Sequence, residues 1–220
     1  MSPDASTTAA DRAYDELVTG QQDQPGRARG PYRKSSERRR QIIASAISLF
    51  ATRGVDGSSL RTLGEAIGVS HSALRHYFAS RDELLVEVYR AHEHTISDGG
   101  AQPPLGPVST MIAGARRNRS IPGLVRLYAT LTTDALQEQH PATRTYVRER
   151  FRSLRAQLEG QIREAQRQGT VAEEIDAADA AALVIAASDG LQIQWLLDPE
   201  EVDVGSALSL LARILPEQGA

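Results

Sequence analysis

Apolar residues recur at helical spacing along most of the chain. Ile42, Ile43, Ala46, Ile47, Leu49 and Phe50 form a stripe at steps of three and four. They predict a helix from about Ser36 to Arg53, stopped by Gly54. Leu60, Leu63 and Ile67 share one face of a second helix, about Leu60 to Ile67, capped by Ser58 or Ser59. Gly68 supplies the turn that follows, because a left-handed backbone is least costly for glycine. With Ser70 as N-cap, Val69 and Leu74 stand at hydrophobic-staple spacing, which predicts a short third helix from His71 to Phe78. Ser80 and Glu83 form a capping box for a fourth helix that ends near Ser97. Two short helices joined by so tight a turn make a helix-turn-helix, a device that seats its second helix in a DNA major groove.

Beyond a loop or hinge marked by Gly99-Gly100 and Pro103-Pro104, helical patterning resumes over about 107–118, 122–139, 141–168, 176–197 and 203–215. Val147, Phe151, Leu154, Leu158, Ile162 and Ala165 make a seam along the longest of these. The run from Asp176 to Leu197 is apolar on nearly all sides for about three turns, as in a helix buried on several faces, in a core or a subunit interface. No stretch shows sustained β-alternation, so the fold class is all-α. We divide the chain into a disordered, basic-ended arm over 1–34, a helix-turn-helix domain over 35–80 and a larger helical domain over 81–220.

Net charge is -3, which by itself says nothing of nucleic acid. Its distribution does. Residues 27–90 carry twelve Arg and Lys against six Asp and Glu, while both flanks are acidic. A basic segment on an acidic chain is the footprint of a DNA-binding module. Arg27, Arg29, Arg33 and Lys34 would form a basic arm ahead of the first helix, able to follow phosphates or a minor groove. The chain has no cysteine, so disulfides and Cys-based zinc sites are excluded. The N-terminus lacks a signal-peptide core, and no apolar run approaches the ~18 residues of a membrane span. A cytoplasmic protein is expected. Gly-rich phosphate loops, His-Glu-x-x-His and Gly-x-Ser-x-Gly are all missing, so neither an enzyme nor a cofactor is expected. His92 and His94 point to different faces of one helix and make a poor metal pair, so no metal site is assigned.

The stretch Leu63-Gly64-Glu65-Ala66-Ile67-Gly68-Val69-Ser70, then His71-Ser72-Ala73-Leu74-Arg75-His76-Tyr77-Phe78, then Ala79-Ser80-Arg81-Asp82-Glu83-Leu84-Leu85, closely resembles the TetR family of bacterial transcriptional regulators. Ile42 to Phe50, followed by Gly54, is similar to that family's first helix. The match covers roughly residues 38–90. It implies a mini-core of Leu60, Leu63, Ile67, Val69, Leu74, Tyr77 and Phe78. His71, Ser72 and Arg75 would face the groove, Ser59, Thr62, His76, Tyr77 and Arg81 would hold phosphates, and Ser70 is counted with them as DNA-binding. Two positions depart from the family pattern. Gly64 stands where Ala is usual, which should loosen the second helix. Arg75 stands where an aromatic residue is usual, leaving a base or a phosphate as its target.

The resemblance further implies a larger domain that dimerises and binds a small-molecule effector. Pairing also has a physical reason, because two half-sites one DNA turn apart multiply a weak contact. Ala182, Ile185, Ala186, Asp189, Gly190, Ile193, Leu208, Leu211 and Leu215 are the expected interface. Tyr128, Thr132, Asp134, Tyr146, Ser188, Gln192 and Trp195 are polar or amphipathic groups within apolar helices and the expected effector contacts. The function expected is a repressor released from a palindromic operator on double-stranded DNA. The competing readings are an activator or nucleoid-type binder, and a helical protein-interaction module without specific DNA binding.

Overall fold

Pro31 opens helix α1 (Pro31–Arg53), five residues ahead of the expected start. Proline suits a first turn, since its fixed φ is helical and its missing N–H has no intrahelical partner there. The backbone of residues 31–34 is therefore helical, which shortens the arm expected over 1–34. The computed structural model describes residues 31–53, 59–97 and 106–216. Arg27 and Arg29, the Gly54 stop, Ser58 and the Gly99-Gly100 and Pro103-Pro104 hinge lie outside the described residues. All regular structure among those described is helical. The chain divides into two compact units, Met1–Gly99 and Gly100–Ala220.

In the first unit α1 is followed by α2 (Leu60–Ala66), α3 (His71–Tyr77) and α4 (Arg81–Ser97). Helix α1 packs on α4, and α2 on α3. Ile42, Ala46 and Phe50 from α1, Leu63 from α2, Leu74 and Phe78 around α3, and Leu84, Leu85 and Val88 from α4 are all buried. Val69 joins them, whereas Leu60, Ile67 and Tyr77 are only half-buried. The Arg39 guanidinium pairs with Glu87 at 2.8 Å and lies 5.0 Å from the centre of the Phe78 ring, tying α1 to α4 and to the end of α3. The start of α4 is capped as the sequence predicts, with a shift of one residue. Ser80 Oγ accepts the Glu83 N–H at 3.1 Å, and the Glu83 carboxylate accepts the Ala79 N–H at 2.7 Å. The unit boundary differs from the one expected after residue 80. Helix α4 supplies the apolar face that covers α1, so it cannot be separated from the helix-turn-helix.

The second unit holds α5 (Pro107–Arg119), α6 (Pro122–Asp134), α7 (Pro141–Arg167), α8 (Ala177–Leu197) and α9 (Val204–Ser209), which runs on into a 3₁₀ turn at Leu210–Arg213. Prolines open α5, α6 and α7 at the positions where a helix tolerates them. Helix α6 ends five residues earlier than expected. From Asp134 the backbone passes through turn bonds, among them Gln137 N–H to the Asp134 carbonyl at 3.0 Å, before Pro141 starts the next helix. Helix α8 is the centre of the unit. Ala181, Val184 and Ile185 pack with Val108, Leu158, Ile162 and Leu215, and Trp195 with Ala115, Val125, Val204 and Leu208. Among the described residues α8 is also long and apolar enough to cross a membrane, with a mean hydropathy of 1.4 over its best window. That corrects the expectation that no apolar stretch approaches this length. One side of the helix, from Ala177 to Trp195, is nonetheless built into a protein core.

Candidate nucleic-acid interface and polar core

The turn between α2 and α3 is held by short-range bonds. The Val69 N–H donates to the Gly64 carbonyl at 2.8 Å, and the Ile67 N–H to that of Leu63 at 3.1 Å. Gly68 has φ +71°, the left-handed conformation the sequence assigns to it. Ser70 Oγ accepts the Ala73 N–H at 3.2 Å, which caps α3 and fixes its direction. Ser59 Oγ does the same for α2 through the Thr62 N–H, also at 3.2 Å. Leu74 is completely buried and anchors α3 from below. His71, Ser72, Arg75 and His76 are all exposed on the other side. No acidic residue interrupts them. Of the expected phosphate contacts, Ser59 and Thr62 are exposed beside one another at the start of α2, and Tyr77 is half-buried with its ring edge-on to His76 at 4.9 Å. Arg81 is mostly enclosed and lies 3.7 Å from the Asp82 carboxylate.

The second unit contains a polar network inside an otherwise apolar packing. The Tyr128 hydroxyl on α6 donates to Asp189 Oδ2 on α8 at 3.1 Å and accepts from Arg150 Nη1 on α7 at 2.9 Å. The same guanidinium lies 4.4 Å from the centre of the Tyr128 ring, a cation–π contact. Burial raises the Asp189 carboxyl above the usual carboxylate range. The charge of Arg150 and the Tyr128 hydrogen bond pull it part of the way back. Three residues along from Asp189, buried Gln192 accepts from Asn118 Nδ2 on α5 at 2.6 Å and donates to the Ser188 hydroxyl and carbonyl at 3.2 Å. Three of the expected effector residues, Tyr128, Ser188 and Gln192, thus fall on one stretch of α8 and its neighbours. Trp195 lies in the adjoining apolar cluster, and Tyr146 is buried on α7. Thr132 turns its hydroxyl onto the Ala129 carbonyl of its own helix, and Asp134 ends α6 half-buried. A surface cleft of about 180 Å³ is lined by Arg116, Arg119, Asp203 and Ser206. It is smaller than the ~300–1,000 Å³ of typical ligand pockets.

The family model for bacterial regulatory proteins, tetR family, matches residues 42–88, and that for the BetI-type transcriptional repressor, C-terminal, matches residues 124–219. The chain belongs to the TetR family of bacterial transcriptional regulators. It is a DNA-binding regulator of transcription. Among its relatives is the HTH-type transcriptional repressor Rv1474c of Mycobacterium tuberculosis, 30% identical over 128 residues, covering 49% of this chain and 68% of the relative. The HTH-type transcriptional regulator TtgR of Pseudomonas putida is 26% identical over 185 residues, covering 78% and 86%. A solved structure of SmeT in complex with triclosan superposes with a TM-score of 0.62 at 20% identity, covering 80% of this chain and 90% of that one.

Two readings of this TetR-family chain change with the structure. Gly64 does not loosen α2. A β-carbon there would lie 2.6 Å from the Val69 carbonyl oxygen and 2.9 Å from Leu74 Cδ1, so the glycine lets the turn close. The residues expected at a dimer interface separate into two groups. Ile185, Leu208 and Leu215 are buried in the unit's own core, while Ala182, Ala186 and Ile193 are exposed along one side of α8. Gly190 lies on that side, half-buried, and Leu211 is half-buried against the core. Asp189, expected there too, instead joins the polar network. Sequence reasoning missed Leu183 and Leu197, both large, apolar and exposed on the same side. It also missed Arg150 and Asn118. In the sequence neither stands apart from the arginines beside it.

Proposed function

We propose that this chain is a homodimeric repressor, acting in the cytoplasm, that holds a two-fold symmetric operator and is released by a small-molecule effector. The observation that carries the reading is the capped, cationic α3, presenting four exposed polar residues from a rigid apolar base. A helix so presented fits a major groove, with Ser59, Thr62 and Tyr77 as the candidates for the flanking phosphates. His71, expected in the groove, is assigned to the phosphates instead because it lies at the side of α3, and His76, expected at a phosphate, to the outward face. Dimerisation is supported by the exposed row Ala182, Leu183, Ala186, Ile193 and Leu197, with half-buried Gly190 among them. Its small residues permit close approach of a second helix, and a contiguous apolar face of this kind calls for a cover. Isologous pairing through it gives the two-fold axis that a palindrome mirrors.

The effector reading rests on the network around Tyr128, Ser188 and Gln192, with Tyr146 and Trp195 beside it and Thr132 and Asp134 along α6. A ligand that bonds to these groups must exchange for the bonds they make now, and that exchange alters how α5, α6 and α7 pack on α8. It releases DNA only to the extent that its affinity differs between the DNA-bound and the free arrangement. SmeT, similar in fold, holds triclosan, which supports a small organic ligand for this chain as well. The test is transcription in vitro from a promoter carrying a duplex selected by the protein. Addition of the protein should lower transcript yield, and an effector should restore it. A rise in yield would make the chain an activator.

A further inference from the structure

Apart from Arg75, every arginine of the first unit whose side chain is described has a protein partner. Arg39 and Arg90 bond to Glu87 at 2.8 and 3.1 Å, and Arg61 bonds to Glu65 at 3.0 Å. Arg40 pairs with Glu37, Arg81 lies 3.7 Å from Asp82, and Arg38 donates to the Gln41 side chain at 3.2 Å. Arg75 is exposed, and its charge and its five donors meet no partner among the described residues.

Its position on α3 says where they go. Successive helical residues turn by about 100°. Leu74, Phe78 and half-buried Ala73 and Tyr77 define the inner side. Ser72, Arg75 and His76 then lie within roughly 50° of the outward direction, and His71 lies about a quarter-turn aside. The outward face of such a helix meets base edges, while its flanks meet phosphates. Of the three outward residues, Ser72 is 3.2 Å from the Ser70 hydroxyl, and His76 is set edge-on against Tyr77. Only Arg75 combines outward placement, length and the absence of a local bond. Helical side chains also lean towards the N-terminus, so Arg75 covers the turn that holds Ser72, at the end of the helix that enters the groove.

We infer that Arg75 reads a guanine in each half-site, its guanidinium fork donating to O6 and N7 at the major-groove edge. A planar fork matches that acceptor pair and distinguishes G·C from the other three base-pair orientations. The inference rests on the DNA-binding reading above and deepens it, since it specifies part of the operator.

The test starts with wild-type protein, Arg75→Ala and Arg75→Lys each selecting duplexes from one random pool. Wild type should enrich a guanine at one fixed position in each half-site. Arg75→Ala should lose the preference there and keep it elsewhere, and matching thermal unfolding shows that its fold is intact. The wild-type site is then rebuilt with 7-deazaguanine, which lacks N7, at that position. Wild-type affinity should fall by about fivefold or more, while Arg75→Ala should be indifferent. Arg75→Lys, which cannot form the fork, should discriminate less than wild type. The assignment is overturned if Arg75→Ala selects the same guanine, or if 7-deazaguanine weakens both proteins equally. Failure of wild type to enrich any sequence overturns the DNA-binding reading itself, and this assignment with it.

Discussion

Replacing Gly64 by alanine separates two physical effects of opposite sign. By helix propensity alone, an alanine inside α2 stabilises the helix by ~1 kcal/mol. The geometry opposes this. The new methyl group would stand 2.6 Å from a backbone oxygen, at Val69, and 2.9 Å from a side chain, Leu74, that is itself completely buried. The Val69 carbonyl cannot simply swing away. Its residue follows Gly68 and is bonded back to Gly64 at 2.8 Å, so relief of the clash must open the turn between α2 and α3. Overpacking of this kind costs about 1–3 kcal/mol. The net result is a loss of roughly 1 kcal/mol in Gly64→Ala, equivalent to a fall of about 2–4 °C in Tm for a chain of this size. Gly160, in the middle of α7, is the control. It is exposed, and nothing lies within 4 Å of a β-carbon placed there. Gly160→Ala should therefore raise Tm, by ~0.5–1 kcal/mol of stability. Thermal unfolding followed by circular dichroism reads both variants, and operator affinity should fall for the first and not the second. The reasoning is refuted if Gly64→Ala raises Tm as Gly160→Ala does.

Other perturbations reach the remaining parts of the account. Ser70→Ala removes the cap of α3 and should cost ~1 kcal/mol in the unfolding of the first unit, with a larger proportional loss of DNA affinity; equal affinity for the two proteins would show that the cap does not orient the helix. Ile193→Asp puts a charge on the exposed side of α8 and should turn a dimer into a monomer by light scattering; a wild-type protein already monomeric at micromolar concentration would remove the proposed interface. Burial raises the Asp189 carboxyl, so the folded state favours its acid form. The stability contributed by this group is complete below the usual Asp value of ~3.9 and declines as pH rises through the raised one. Asp189→Asn should accordingly show a flatter dependence of Tm on pH from about pH 4 upward, and curves that run parallel for the two proteins would contradict the assignment.

The helix-turn-helix was legible in the sequence because each of its signals is local. Ser59 and Ser70 cap within three residues, Gly68 answers to one dihedral angle, and Leu63, Val69, Leu74 and Phe78 alternate with polar residues on short helices. Gly64 was misread because its neighbours, Val69 and Leu74, approach across the turn, and propensity sees only the helix. The second unit was legible as helices but not as a site. Its seam over Val147 to Ala165 follows from spacing. Which residues of the apolar α8 face outward does not, because small and large apolar groups surround the helix and only the packing of α5, α7 and α9 decides. The same holds for Arg150. Arg150 stands 22 residues from Tyr128, and Tyr128 stands 61 residues from Asp189, separations at which no pattern along the chain links them.

Sequence selection from random duplexes addresses the central claim most directly, because it asks whether two copies of α3 read DNA as a symmetric pair. The account predicts an inverted repeat, with half-sites spaced by about one helical turn or a multiple of it, bound with an affinity that falls steeply as salt rises. Enrichment of a single unpaired site, or of no sequence over the starting pool, would contradict it.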